Sequence, residues 1–157
     1  LLKTESGLKK TIEHLSWVHE ICKKNGFKDG YHNHDIEFST LYNQKTVWDS
    51  IFEVLPEDFP LVLDTGNAMD GGGDPFAVVM KYPKRMPVVH AKPFSHKDAY
   101  ATMIGDDDID WPAFLSLCLK TGGTQVFIVE YGNSIKYEPY KSSRLCLDRL
   151  RKILGRG

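Results

Sequence analysis

Two imidazoles and two carboxylates recur at the ends of short apolar runs. Gly30-Tyr31 leads into His32-Asn33-His34, Leu61-Val62-Leu63 into Asp64, Val88-Val89 into His90, and Val126-Phe127-Ile128-Val129 into Glu130. Runs this apolar, bounded by turn residues and separated by helix-like segments, read as buried parallel strands. Parallel strands bring their carboxyl ends to one edge of a sheet, so one residue from each can converge on a point. Mixed nitrogen and oxygen donors suit a divalent ion, and the pattern therefore predicts a metal site built from His32, Asp64, His90 and Glu130.

The elements that must position these residues are legible between the runs. Leu8, Ile12, Leu15, Val18 (or Trp17), Ile21 and Cys22 form a helical stripe over about Ser6 to Asn25, which Asn25-Gly26 stops. Strands are expected at Gly30–His34, Pro60–Asp64, Pro87–Ala91 and Gln125–Glu130. A second helix over Thr46–Leu55 is closed by Pro56. Asp74-Pro75 opens a third, because an Asp side chain accepts from first-turn amides and Pro at the first position loses no bond. Asp110 caps a fourth, running through Trp111, Pro112, Phe114 and Leu117 to Lys120, and Gly122-Gly123 breaks it. A last helix spans Tyr140–Leu154 with Cys146, Leu147, Leu150, Ile153 and Leu154 inward.

An opening helix followed by four strand–helix units is α/β. No glycine-rich dinucleotide fingerprint follows any strand, and ligating residues at every strand end favour a TIM (β/α)8-type barrel over a doubly wound sheet. A full barrel takes about 250 residues, so the 157 residues here are expected to form one domain, 1–157, amounting to its C-terminal half. Its two open sheet edges are then expected to be covered, by a homo-oligomer or by a missing N-terminal half.

The formal charge of −1 gives no electrostatic grip on nucleic acid, and no apolar stretch is long enough to span a bilayer. The start, Leu1 to Thr4, lacks a signal-peptide layout and has the look of a cut end; the expected location is the cytoplasm. Cys22, Cys118 and Cys146 are widely spaced, without a C-x-x-C, and read as small buried hydrophobes. Gly71-Gly72-Gly73 reads as an entry to the Asp74-capped helix. Asp106-Asp107-Asp108 lacks the glycine and glutamate of a calcium loop and reads as solvated. His14, His19 and His96 lie off the strand ends and read as surface residues.

Taken together, Tyr31 to Phe38 (YHNHDIEF), Asp64 to Asn67 (DTGN), Val89 to Lys92 (VHAK), Gly105 to Phe114 (GDDDIDWPAF) and Val129-Glu130 resemble the sugar phosphate isomerase/epimerase family, the xylose-isomerase-like TIM barrels that include the AP endonuclease 2 type. The resemblance implies a divalent ion, Mn²⁺ foremost with Zn²⁺, Mg²⁺ or Co²⁺ as alternatives, at the carboxyl end of the barrel. It implies Glu, Asp, His and Glu as ligands from successive late strands, and places Asp64, His90 and Glu130 on the last three. His32 stands at the first in place of Glu. Since the two glutamates of the epimerases also serve as acid and base on opposite faces of the substrate, His32 removes half of that pair.

The implied substrate is a small sugar or keto-sugar, with a metal-polarised carbonyl and a proton lost from the neighbouring carbon. Glu130 is the expected base, with His32 or His34 as partner acid or base. Lys92 falls on the same side of its strand as His90, where it could stabilise an enediolate or bind a hydroxyl. His34, Glu37 and Asn67 are further expected substrate contacts. Other readings are a keto-sugar lyase or hydrolase, an endonuclease at abasic DNA, and a sugar-binding barrel without chemistry. Asp64 alone could equally cap a turn through Thr65-Gly66.

Overall fold

Thr4 opens the first helix, α1 (Glu5–Lys24), by accepting the Gly7 N–H on its hydroxyl, and left-handed Gly26 (φ 74°) lies just beyond its end. The structure, a computed structural model, describes residues 2–132 and 138–155, so Leu1, the first residue of the start discussed above, lies outside the described residues. The chain continues through β1 (Tyr31–His32), α2 (Ile36–Ser39), the hairpin β2 (Leu41–Tyr42) and β3 (Lys45–Thr46), and α3 (Val47–Phe52). Then come β4 (Leu61–Asp64), α4 (Thr65–Asp70), α5 (Pro75–Lys81), β5 (Val88–Ala91), α6 (Trp111–Leu117) with a π-turn at Cys118–Gly122, β6 (Val126–Val129) and α7 (Pro139–Ile153).

The strands β1, β4, β5 and β6 form one parallel sheet in that order, an open portion of a barrel. Strand alternation decides which residues face which layer. Leu61, Leu63, Val89 and Ala91 are fully buried against the helices, packing with Trp48, Ile51 and Phe52 of α3, Val79 of α5, Phe114 of α6 and Cys146 of α7. Their alternates, Val62 and Asp64, Val88 and His90, and Val126 and Ile128, share the opposite face. Register sets Asp64 beside His90 and His90 beside Ile128.

Several expectations change. β1 is shorter than Gly30–His34 because Asn33 leaves the ladder and uses its side chain instead: Oδ1 accepts the Asp64 N–H at 2.8 Å and Nδ2 donates to the Asp64 carbonyl at 3.1 Å. β6 is not buried on both faces; among the described residues it is an edge strand, with Val126 and Ile128 48% and 43% exposed. Trp17 and Ile21 point outward from α1, while His19 is buried, its two ring nitrogens meeting Asp29 at 3.0 Å and Asp58 at 3.4 Å. That contact ties α1 to the loops entering β1 and β4. Cys22 is only half-buried. Asp107 is not solvated: it accepts from the Trp111 indole at 2.9 Å, and burial pushes its carboxyl up to about 6. No helix among the described residues is long and apolar enough to cross a membrane.

Candidate metal centre

Each of the four strand ends delivers one donor to the same place. His32 comes from β1, Asp64 ends β4, His90 lies in β5, and Glu130 follows β6 directly. One ligand atom from each lies within 4.8 Å of all the others. The rings of His32 and His90 are 4.4 Å apart between centroids, and His90 Nδ1 meets Glu130 Oε2 at 2.7 Å.

Local structure holds Asp64 in a particular way. It is the N-cap of α4, where Oδ1 accepts the Asn67 N–H at 2.7 Å, and Asn33 grips its backbone from the neighbouring strand. The turn-capping role open to it in the sequence is therefore real, yet it occupies one carboxylate oxygen only. Asp64 Oδ2 is buried with no hydrogen-bond partner, and so is His32 Nδ1. A buried polar atom left unpaired costs about 1–3 kcal/mol, and two of them on side chains that share one cluster need a common explanation. A divalent cation among two imidazoles and two carboxylates supplies one, and the donor set fits such an ion.

Charge states fit as well. Burial holds His32 down to about 4, with His90 adding to the effect, so its imidazole is neutral and its lone pair is available at neutral pH. Burial pushes Asp64 up to about 7, against the Asn67 N–H and Lys92, which pull it down. Burial would also raise Glu130, but hydrogen bonds from His90 and Lys92 outweigh it and hold the carboxyl at about 2. A cation entering the site must displace the Asp64 proton below pH 7 and the His32 proton only near pH 4. Mn²⁺ affinity is thus expected to fall roughly tenfold for each pH unit below 7 and to level off above it. Calorimetric titration between pH 5 and 8 measures this, and a flat profile would contradict it.

The remaining expected residues divide. His34 is exposed at the rim, its ring edge-on to His32 with centroids 5.3 Å apart. Lys92 does share a side with His90, and its Nζ donates to Glu130 Oε1 at 2.9 Å and to Asn67 Oδ1 at 2.9 Å. Asn67 is buried and also donates to the Asn33 carbonyl at 3.0 Å. Glu37 differs from its expected place as a substrate contact. Only 2% exposed, it accepts from the Tyr31 hydroxyl at 2.6 Å and the His34 N–H at 2.8 Å, so it fixes the turn that presents His34. Asn33 and Tyr100 join the site without having been expected there. Asn33 stood inside an expected strand, while Tyr100 lies in the long loop after β5 with no periodicity to mark it.

Comparison with known proteins bears on the family and the fold. The family described as xylose isomerase-like TIM barrel matches residues 3–152. Among curated proteins, inosose dehydratase of Geobacillus kaustophilus is 31% identical over 94 residues, covering 59% of this chain and 30% of its own length. Rhizopine catabolism protein MocC of Rhizobium meliloti is 28% identical over 117 residues, 64% of this chain and 35% of its own. A sugar phosphate isomerase/epimerase from Parabacteroides distasonis superposes with a TM-score of 0.78 at 21% identity, over 93% of this chain and 54% of the other, a likeness of fold. The chain thus spans about a third of those curated relatives and about half of that solved structure.

Proposed function

The chain belongs to the xylose isomerase-like TIM barrel family, and we propose that it serves a metal-dependent enzyme of the isomerase/epimerase type, acting on a small sugar or keto-sugar by removing a proton next to a carbonyl. The observation that carries this reading is the pair of orphaned buried atoms, Asp64 Oδ2 and His32 Nδ1, within one four-residue donor cluster. His32, Asp64, His90 and Glu130 would hold the ion, with Mn²⁺ the expected metal. Bound there, a divalent cation supplies Lewis-acid polarisation of a carbonyl, which acidifies the adjacent C–H.

The protein's own groups do the rest. Glu130 is the base: its carboxylate is anionic throughout the working range, and Lys92 and His90 each hold one of its oxygens, so its orientation is set before substrate arrives. A carboxylate with so low a proton affinity is a weak base, so proton removal by Glu130 depends on a C–H that the cation has already acidified. Lys92, bonded to Glu130, would hydrogen-bond a developing enediolate oxygen beside that carboxylate. His32 is neutral and half-buried. It cannot duplicate a glutamate on the opposite substrate face, and this favours chemistry with one carboxylate base over two-face epimerisation.

A second reading draws support from the relative named inosose dehydratase. The same proton removal, followed by departure of a hydroxyl one carbon further on, is an elimination, in which His34, exposed at the rim, would be the group that hands that hydroxyl a proton. Both readings share their first step. Incubating the Mn²⁺-loaded protein with keto-sugars and inososes in D₂O and following the proton beside the carbonyl by NMR tests that step. Exchange with appearance of an isomeric sugar supports isomerisation, and exchange with a dehydrated product supports elimination. No exchange across the panel, with cleavage of abasic DNA instead, would overturn the proposal.

A further inference from the structure

Lys92 is not one of the four donors, yet it lies in a close-fitting slot beside them. Its stem lies against two glycines. A Cβ on Gly66 would stand 2.9 Å from Lys92 Cγ and 3.0 Å from the Lys92 carbonyl oxygen, and one on Gly132 would stand 3.2 Å from Lys92 Cε. The first separation is closer than non-bonded carbons tolerate, so Gly66 admits the lysine only because it lacks a side chain. Lys92 is 8% exposed, and its ammonium reaches Glu130 Oε1 and Asn67 Oδ1, each at 2.9 Å. Over it lies the Tyr100 ring, its centroid 4.9 Å from Nζ.

The loop between β5 and α6 brings Tyr100 there by a constrained route. Ser95 and Ala99 exchange backbone hydrogen bonds at 3.1 and 2.7 Å, and Ala99 takes a left-handed φ of 48°, unusual for a residue with a side chain. Phe94 packs edge-on against the Tyr100 ring at 5.4 Å. The phenol contacts Asp70 Oδ2 at 2.9 Å and Asn67 Oδ1 at 3.1 Å. One hydroxyl proton serves one acceptor, and the charged, nearer Asp70 is the stronger. Asn67 Oδ1 is then left to Lys92. Burial and the bond to Asp70 push the phenol well above its ordinary pKa, so it remains a donor.

We propose that Tyr100 is a positioning residue for Glu130, acting through Lys92: its ring and the Asn67 amide hold the ammonium, and the ammonium holds one carboxylate oxygen. This rests on the reading of Glu130 as a metal ligand and base, and it assigns the loop after β5 a role in setting that ligand. Remote groups that orient a ligand are worth about 10–100-fold in metal affinity. Tyr100→Leu, which removes ring and hydroxyl, is therefore expected to weaken Mn²⁺ binding by about tenfold, while Tyr100→Phe, which keeps the ring, retains most of it. In a Lys92→Met background Tyr100→Leu should have no further effect, because the path runs through the lysine.

Two measurements separate this from the metal assignment. In the metal-free protein, the Lys92 ammonium gives a proton-detected ¹⁵N signal only while its protons are held. That signal should be present in the native chain and in Tyr100→Phe, and lost in Tyr100→Leu and in Glu130→Ala, which removes the acceptor oxygen. Persistence of the signal in Tyr100→Leu, or equal weakening of Mn²⁺ binding by Tyr100→Leu with and without Lys92, would overturn the proposal. A native chain that shows the ammonium pattern yet binds no Mn²⁺ would refute the metal reading and the ligand-setting role with it, leaving only the Tyr100–Lys92–Glu130 contact.

Discussion

Asp64→Asn is expected to weaken Mn²⁺ binding by about two to three orders of magnitude, on the order of 3–4 kcal/mol, and at the same time to stabilise the metal-free protein. The two effects have one cause. Asn retains a side-chain oxygen for the Asn67 N–H, so the N-cap of α4 survives. What disappears is the charge on a carboxylate that is fully buried and has one oxygen without a partner. With its carboxyl raised from 3.8 to about 7, folded Asp64 binds more protons than the unfolded chain between those values, so metal-free stability falls as pH rises through that window. The full penalty, on the order of 4 kcal/mol, is present only above pH 7.

His32 has the opposite sign. Lowered to about 4, it binds fewer protons when folded than when unfolded, and stability falls as pH drops from its ordinary value of 6.5 toward 4. Between about pH 4 and 6.5 the two slopes nearly cancel in the native chain. In Asp64→Asn only the His32 slope remains, so the difference between the two proteins should widen from about pH 4 to 7 and then hold. Urea unfolding of metal-free samples at pH 5 and pH 8 measures it. A variant less stable than the native chain at pH 8 would mean that the Asp64 carboxylate is structural, and the cation reading would lose its main support.

Glu130→Gln is expected to remove proton exchange beside the substrate carbonyl by about 10²–10⁴-fold, the usual worth of a positioned general base. Gln keeps an oxygen for Lys92 and is nearly the same size, so the barrel and the Lys92 slot remain. It also weakens the cation site, and the assay must therefore be run with Mn²⁺ at saturation for each protein. Solvent exchange by NMR at pH 7 is the readout. If a Glu130→Gln protein saturated with Mn²⁺ still exchanges at a tenth of the native rate or faster, the base lies elsewhere, and His32 or His34 becomes the group to replace.

The parts of this molecule that were legible in the sequence are those whose physics is local and repeated. The strands at β4 and β5 are continuous apolar runs, and their ends named Asp64 and His90. The caps at Asp74 and Asp110 each announced a helix, and both accept first-turn amides as expected. The convergence of His32 and Glu130 on the same point followed from placing four parallel strands side by side. Less was readable where a side chain replaces backbone or where an element is too short to show a period. Asn33 imitates a strand with its amide, so β1 seemed longer than it is. α2 and α4 have four and six residues, too few for a helical stripe.

The hairpin of β2 and β3 turns through Asn43 and Gln44, both at positive φ, where a glycine would have been the signal. Glu37 shows a different limit. A carboxylate three residues from a histidine looks the same in sequence whether it faces a substrate or the core, and only the Tyr31 hydroxyl across from it decides. Tyr100 reaches the site from a loop whose path is set by Ala99 and Phe94, contacts that no periodicity encodes.

The central claim is that His32, Asp64, His90 and Glu130 surround one cation. Diffraction from crystals grown with Mn²⁺, recorded where manganese scatters anomalously, tests it most directly. A single strong anomalous peak within bonding distance of all four side chains, about 2.0–2.3 Å from nitrogen and oxygen donors, is the predicted result. A cluster without a peak in crystals that bind manganese elsewhere, or a peak touching only one of the four residues, would contradict it.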